Sequence, residues 1–334
     1  MGGASGCVVN ARRLNFDGRV DFRGLEEALG VGGRLSVHDD GSPDVAAVAS
    51  RAEGHRVLVT KEVAVDVETL PSCVELIVEA GTGFNNVDVT KAAARGIAVC
   101  NVPGYSSDAV AQLVVTFILS MSIGLGEQQR ALVRDDRSAF DAGMVGLGRF
   151  SMEELGGKVL GLVGGTGAIG RRVAALAHAL GMRVLVWSRA AASCDAWDAV
   201  ALDVLLAESD YVSLHCPLTP DTQGLIDAAA LAKMKPTARL INTARGALVV
   251  EPDLVDALRA GRLAGAALDV QHPEPPSPDS PLYTLPHVYL TPHIGWKRVQ
   301  TRQRLVDAVA QTVDAYLRGT PINLVSPPVE PRTT

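Results

Sequence analysis

The chain has 334 residues, of which 47% are hydrophobic, 4% aromatic and 20% charged, and its net charge is −6. That aliphatic content excludes a disordered chain, and the acidic balance argues against nucleic acid as the main partner, since phosphate binding calls for a concentrated basic surface. The longest apolar run, 110–126, contains Gln112, Thr116, Ser120 and Ser122 and is short for a bilayer span, so no membrane partner is expected.

The length suggests about two domains. Residues 1–6 are small and read as a loose end, as does the proline-bearing tail 326–334. Between them strand-like and helix-like segments alternate. Residues 57–59, 76–78 and 97–100 read as strands, and 89–95 reads as a helix stopped at Gly96. The turn-rich 101–105 is a plausible hinge. Ser106 or Ser107 can cap a long apolar helix over 108–123, followed by a polar stretch over 127–151. A second alternating run opens with a strand at 159–163, a helix at 169–180 and a strand at 184–187. Further strands are predicted at 211–214, 240–242, 266–270 and 288–290, and an amphipathic helix at 300–317. Such alternation implies βαβ units and parallel sheets.

Gly165-Thr166-Gly167-Ala168-Ile169-Gly170 fits G-x-G-x-x-G between an apolar strand and an apolar helix. In that context Gly165 permits the tight turn. Gly167 admits a pyrophosphate to the backbone, Gly170 lets helix and strand approach, and the helix N-terminus favours the phosphates. An NAD site usually places an acid after the next strand. Here Ser188-Arg189 follows Trp187, and a hydroxyl plus a guanidinium suits a 2′-phosphate, which favours NADP(H) while leaving NAD(H) open. Five cysteines without a C-x-x-C pair read as reduced thiols. With no apolar leader at the start, a cytoplasmic setting is expected. No cluster has metal-ligand spacing.

Several further stretches resemble the D-isomer-specific 2-hydroxyacid dehydrogenase family. They are Gly81-Thr82-Gly83-Phe84-Asn85-Asn86-Val87-Asp88, Val102-Pro103-Gly104-Tyr105-Ser106, His215-Cys216-Pro217-Leu218-Thr219, Ile241-Asn242-Thr243-Ala244-Arg245-Gly246, Ala267-Leu268-Asp269-Val270 and Leu290-Thr291-Pro292-His293-Ile294-Gly295. With the fingerprint they cover about residues 55–325. Asn85-Asn86-Val87-Asp88, Cys100–Ser106 and the 302–307 helix are most similar to the glycerate dehydrogenase/hydroxypyruvate (glyoxylate) reductase branch.

The resemblance implies two Rossmann-like, doubly wound parallel-sheet α/β domains, one flavodoxin-like and one dinucleotide-binding, with a cleft between them. The substrate-binding domain would be 1–102 plus 297–334, and the NAD(P)-binding domain 103–296. It implies reduction of hydroxypyruvate, glyoxylate or another small 2-keto acid to the D-2-hydroxy acid. Arg245 would bind substrate, His293 would donate the proton and Glu274 would support His293. The Thr82 and Gly83 amides would take the substrate carboxylate, beside Arg245 and His293. Gly165, Gly167, Ala168, Ile169, Gly170, Ser188, Arg189, Cys216, Pro217, Thr222, Thr243, Ala244, Asp269 and Gly295 would line the cofactor, with Asp269 at the carboxamide and Thr243 near the nicotinamide. The apolar 108–123 helix implies a homodimer.

Around Glu274 the chain departs from the family's usual run, reading Gln271-His272-Pro273-Glu274-Pro275-Pro276. His272 is read as a spectator. Lys61 has two readings, attraction of an anionic substrate or a solvated surface lysine. Cys216 is also read as a small buried hydrophobe. Two alternatives to the favoured activity stand. One is a sibling dehydrogenase acting on D-lactate, D-3-phosphoglycerate or a branched or aromatic 2-keto acid. The other is a dinucleotide-sensing corepressor without turnover.

Overall fold

The computed structural model describes residues 3–39, 41, 43–140, 145–189 and 191–327. In chain order the elements are β1 (Ser5–Val8), α1 (Ala11–Asn15), α2 (Arg23–Ala28), β2 (Arg34–Val37), α3 (Val45–Arg51), β3 (Val57–Thr60), β4 (Leu76–Glu79), α4 (Val89–Ala94), β5 (Ala98–Cys100), α5 (Ser107–Ser122) and α6 (Leu125–Val133). They continue with β6 (Val159–Val163), α7 (Ala168–Ala179), β7 (Arg183–Trp187), β8 (Asp198–Ala199), α8 (Leu202–Glu208), β9 (Tyr211–Leu214), α9 (Ala228–Lys233), β10 (Arg239–Asn242), α10 (Glu251–Arg259), β11 (Gly265–Leu268), β12 (Val288–Leu290) and α11 (Val299–Leu317). The chain divides into two units, one formed by Met1–Ser106 with Trp296–Thr334 and the other by Ser107–Gly295.

The first unit is built on a five-stranded sheet in the order β2-β1-β3-β4-β5, parallel throughout. Its central strands are apolar on both faces because both faces are covered. Val57 and Val59 pack towards Leu305, Val309 and Val313 of α11, while Leu58 between them packs towards Val48 of α3 and Ala92 of α4. The expected loose ends are shorter than the sequence suggested. Ser5 already opens β1, since it registers beside Arg34. The Val99 N–H donates to the buried Ser326 Oγ at 3.1 Å, and Leu324 bridges Cys100. The remainder of the expected ends, 1–2 and 328–334, lies outside the described residues.

The second unit is a seven-stranded parallel sheet in the order β12-β11-β10-β9-β6-β7-β8. Leu160, Leu162, Val184 and Val186 face a layer that includes Leu113, Val114, Phe117 and Ile118 of α5 with Val173 and Ala174 of α7. Val163, Leu185, Val212 and Leu240 face the layer of α8, α9 and α10. The apolarity of α5 is thus largely spent inside its own unit. Its exposed apolar residue is Leu119, and the exposed apolar positions continue beyond it at Ile123, Leu125, Leu132, Val133 and Phe140. The stretch that reads as merely polar, 127–151, carries most of α6 and two short 3₁₀ turns. Among the described residues no single helix is long and apolar enough to cross a membrane.

Candidate active site

In an open parallel sheet, ligands bind beyond the carboxyl ends of the strands where the winding reverses. In the second unit the chain winds from β6 outwards through β7 and β8, then crosses to β9 on the other side of β6. The segments following β6 and β9 are Gly164–Gly167 and His215–Pro217, and they touch. Gly164 turns at φ +84°, and a Cβ there would lie 2.5 Å from the Cys216 nitrogen. The tight turn therefore belongs to Gly164 rather than to Gly165, as the fingerprint alone suggested. Gly165 is constrained by packing instead, since its Cβ would meet Leu162 and Val186 at 2.8 and 2.9 Å. Gly170 is closed by the Gly165 carbonyl oxygen, 2.4 Å from where its Cβ would sit.

Gly167 differs from these three. A Cβ there would meet only the Gly164 oxygen at 3.8 Å, so the glycine faces open space at the N-terminus of α7, where no side chain caps the first turn. Exposed backbone and uncapped N–H groups form a cradle for an anion. Two buried polar atoms also lack partners among the described residues at the carboxyl ends of adjacent strands, Nε2 of His215 after β9 and Oγ1 of Thr243 after β10. Burial pushes the His215 imidazole down to about 4, so it is neutral at physiological pH. His215 stands in the 215–219 stretch that carries the resemblance, but no role was assigned to it there. Its signal was a histidine placed just past an apolar strand at a switch point. The residues present fit a dinucleotide: a glycine cradle for phosphates and orphaned polar atoms along the strand ends.

Other expected cofactor residues are placed as follows. Ser188, after β7, shares a 2.9 Å hydrogen bond with Thr166 of the glycine turn, and Arg189 is exposed. Cys216 is buried in the core layer and Pro217 is exposed. The Thr222 hydroxyl donates to the Pro217 carbonyl at 2.7 Å and closes the turn over 217–222. The Ala244 N–H donates to Asn242 Oδ1 at 3.0 Å.

A separate constellation gathers after β11 and β12. His293 Nδ1 and Glu274 Oε2 are 3.0 Å apart, and the other Glu274 oxygen accepts the Gln271 N–H at 3.0 Å. The two carboxylate oxygens thus aim the side chain from its own loop at the imidazole. His293 sits at φ +50°, a left-handed conformation unfavourable for a residue with a Cβ. Asp269 holds it there. Its backbone oxygen accepts the His293 N–H at 2.9 Å, its Oδ1 accepts the Thr291 hydroxyl at 2.5 Å and the Ile294 N–H at 2.8 Å, and its Oδ2 accepts the Gly295 N–H at 2.9 Å. Asp269, expected at the cofactor, is therefore largely committed to the turn that carries His293. Arg245 is half-buried between β10 and a 3₁₀ turn, with Nη1 donating to the Ala244 carbonyl at 2.7 Å. His272 is exposed.

In the first unit, Thr82 and Gly83 follow β4 in a turn pinned by the Val102 N–H to the Gly81 oxygen and by Asn101 Nδ2 to the Thr82 oxygen, both at 2.8 Å. Neither the Thr82 nor the Gly83 N–H finds an acceptor among the described residues. Lys61, after β3, is 4% exposed, which excludes the solvated-surface reading of that lysine.

Residues 116–295 match the model of the D-isomer specific 2-hydroxyacid dehydrogenase NAD binding domain. The chain belongs to the D-2-hydroxyacid dehydrogenase family. It is 34% identical over 331 residues to a hydroxypyruvate reductase of Blautia hydrogenotrophica, covering 96% of this chain and 98% of that one. It is also 34% identical over 288 residues to a glycerate dehydrogenase of Methylorubrum extorquens, covering 83% and 88%. Among solved structures, the TT0316 protein of Thermus thermophilus superposes with a TM-score of 0.83 at 34% identity, over 96% of this chain and 99% of that one. As a member of this family the protein is an oxidoreductase with a nicotinamide dinucleotide as cofactor, and it falls in the glycerate/hydroxypyruvate branch.

Proposed function

We propose that this D-2-hydroxyacid dehydrogenase reduces hydroxypyruvate or glyoxylate, with His293 as proton donor, Glu274 supporting it and Arg245 binding the substrate. The observation that carries the assignment is the 3.0 Å His293–Glu274 contact on a turn bound by the Asp269 carboxylate.

The nicotinamide, when bound, supplies the hydride. Negative charge then grows on the substrate oxygen, and the chain's own residues answer it. A carboxylate beside imidazole Nδ1 fixes the orientation and tautomer of the ring, leaving Nε2–H as the group to give up a proton. The Arg245 guanidinium offers a planar fork for the carboxylate and carbonyl oxygens, and it stabilises the developing alkoxide. The unengaged Thr82 and Gly83 amides supply two donors for the substrate carboxylate. In the oxidative direction the same imidazole, deprotonated, is the base.

Ser188 and Arg189 support NADP(H), because neither repels a 2′-phosphate and Arg189 can pair with it. The five cysteines are free thiols, which supports a reducing, cytoplasmic setting. The exposed Ile123, Leu125, Leu132, Val133 and Phe140 support a homodimer formed through this part of the second unit, which light scattering on the purified protein tests. The activity is tested by mixing the protein with NADPH or NADH and hydroxypyruvate, glyoxylate or pyruvate. Loss of reduced-nicotinamide absorbance with the first two acids supports the assignment, and a protein that binds cofactor but reduces none of the three refutes it.

A further inference from the structure

We propose that Lys61 is a substrate-positioning residue, whose ammonium, wedged beneath the Gly81–Gly83 turn, makes that turn selective for a carboxylate. The inference rests on the assignment of the substrate carboxylate to the Thr82 and Gly83 amides.

The geometry is unusual for a lysine. Lysines almost always reach water, and this one is 4% exposed. The backbone sends it inward. Glu62 takes a left-handed conformation at φ +54°, and Asn10, itself left-handed and fully buried, donates Nδ2 to the Lys61 carbonyl at 2.8 Å. The ammonium lies 4.1 Å from the centre of the Trp296 ring, which meets the Tyr105 ring edge-on. It stands 3.0 Å from Glu62 Oε1 and 3.3 Å from where a Cβ on Gly81 would sit. A Cβ at position 81 would be in tight contact with it, so the ammonium lies against the start of the turn that presents the two unengaged amides. Trp296 Nε1, also buried, has no acceptor among the described residues.

A buried ammonium could instead serve only to balance Glu79, which is 1% exposed and takes hydrogen bonds from the Thr60 hydroxyl at 2.7 Å and the Glu62 N–H at 3.2 Å. The charges around the site argue against that as its whole role. Glu62 has a second cation, Arg13, at 3.9 Å. Burial, only partly offset by Lys61, pushes the Glu79 carboxyl up to about 7, so near neutrality it cancels only part of the lysine's charge. Burial also works against the charge on Lys61, but Tyr105, Glu62 and Glu79 together outweigh it and keep the group protonated. A positive charge held in a low-dielectric wall strengthens the pull of neighbouring N–H dipoles on an anion.

The test compares wild type with Lys61→Met, Glu79→Gln and the charge-balanced double variant. Each is assayed for kcat and KM with hydroxypyruvate and NADPH, and for binding of oxamate, an unreactive carboxylate mimic, by calorimetry. If Lys61 serves the substrate, Lys61→Met and the double variant both raise KM and weaken oxamate by about tenfold or more, with kcat within about threefold of wild type. Glu79→Gln alone leaves KM equal or lower. Recovery of wild-type KM and oxamate affinity in the double variant would overturn the proposal, since Lys61 would then only neutralise Glu79. Unchanged values in Lys61→Met, or no oxamate binding by the wild type, would overturn it too. Should Lys61→Met fail to fold, the double variant, with no unpaired carboxylate, carries the comparison. A wild type that binds oxamate but reduces no keto acid refutes the dehydrogenase assignment, and the oxamate arm still reads the role of Lys61.

Discussion

Replacing Asp269 by alanine removes one carboxylate and three hydrogen bonds, to Thr291 Oγ1, Ile294 N and Gly295 N. Hydrogen bonds to a charged group contribute about 1.5–3 kcal/mol each, so the three together amount to roughly 5–9 kcal/mol if nothing relaxes. The left-handed conformation they oppose at His293 costs only about 1–2 kcal/mol. With the carboxylate gone the balance reverses, the turn relaxes and the imidazole leaves Glu274. General-acid catalysis by a placed side chain is worth about 10²–10⁴-fold, and kcat with hydroxypyruvate should fall by that order in Asp269→Ala. Asp269→Asn should lie between, because an amide oxygen at the Oδ1 position keeps two of the three donors. Steady-state rates are read together with cofactor affinity from the quenching of protein fluorescence. If Asp269 acted only by gripping the cofactor's carboxamide, affinity would fall and kcat would hold. A kcat within about threefold of wild type in Asp269→Ala would refute the reasoning.

Three further outcomes follow from particular contacts. Ser188→Asp places a carboxylate beside Thr166 and should weaken NADPH by at least about tenfold, roughly 1.4 kcal/mol, while sparing NADH; unchanged NADPH affinity in a titration would contradict the account of Ser188 and Arg189. Gly170→Ala drives a methyl group to 2.4 Å from the Gly165 oxygen, so urea midpoints should fall by an amount equivalent to about 1–3 kcal/mol and cofactor binding should drop with them. Glu79 titrates near 7 in the folded protein because burial outweighs Lys61, against an ordinary value of 4.5. Between those values the folded chain holds a proton that the unfolded chain has released, so stability falls as pH rises through the window, by up to about 3 kcal/mol. Glu79→Gln removes that slope, and urea midpoints at pH 5 and pH 8 that shift in parallel for both proteins would show otherwise.

Both sheets were legible in the sequence because their central strands are buried on two faces and read as continuous apolar runs, as at Val57-Leu58-Val59 and Val159–Val163. The first fifty residues were not. β2 carries the half-exposed pattern of an edge strand, and α1 and α2 are held by α11 from the far end of the chain rather than by their own periodicity. α6 was missed because it has no buried residue to mark a face. The glycine fingerprint showed the βα turn, but the left-handed φ falls one residue earlier, at Gly164, a distinction set by the close approach of Cys216 from β9. The pairing of Glu274 with His293 was expected from the resemblance and not from local pattern, since it spans nineteen residues and rests on the turn that Asp269 binds, and Lys61 lies against the ring of Trp296, which stands far from it along the chain. No local pattern announces contacts of that kind.

The most direct measurement is the rate of reduced-nicotinamide consumption with hydroxypyruvate by wild type and by His293→Gln, each shown separately to bind the cofactor. Steady turnover by wild type, with kcat at least about a hundredfold lower in the variant and cofactor affinity preserved, is the expected result. Equal turnover in the two proteins would show that the proton comes from elsewhere and would remove the basis of the proposed mechanism.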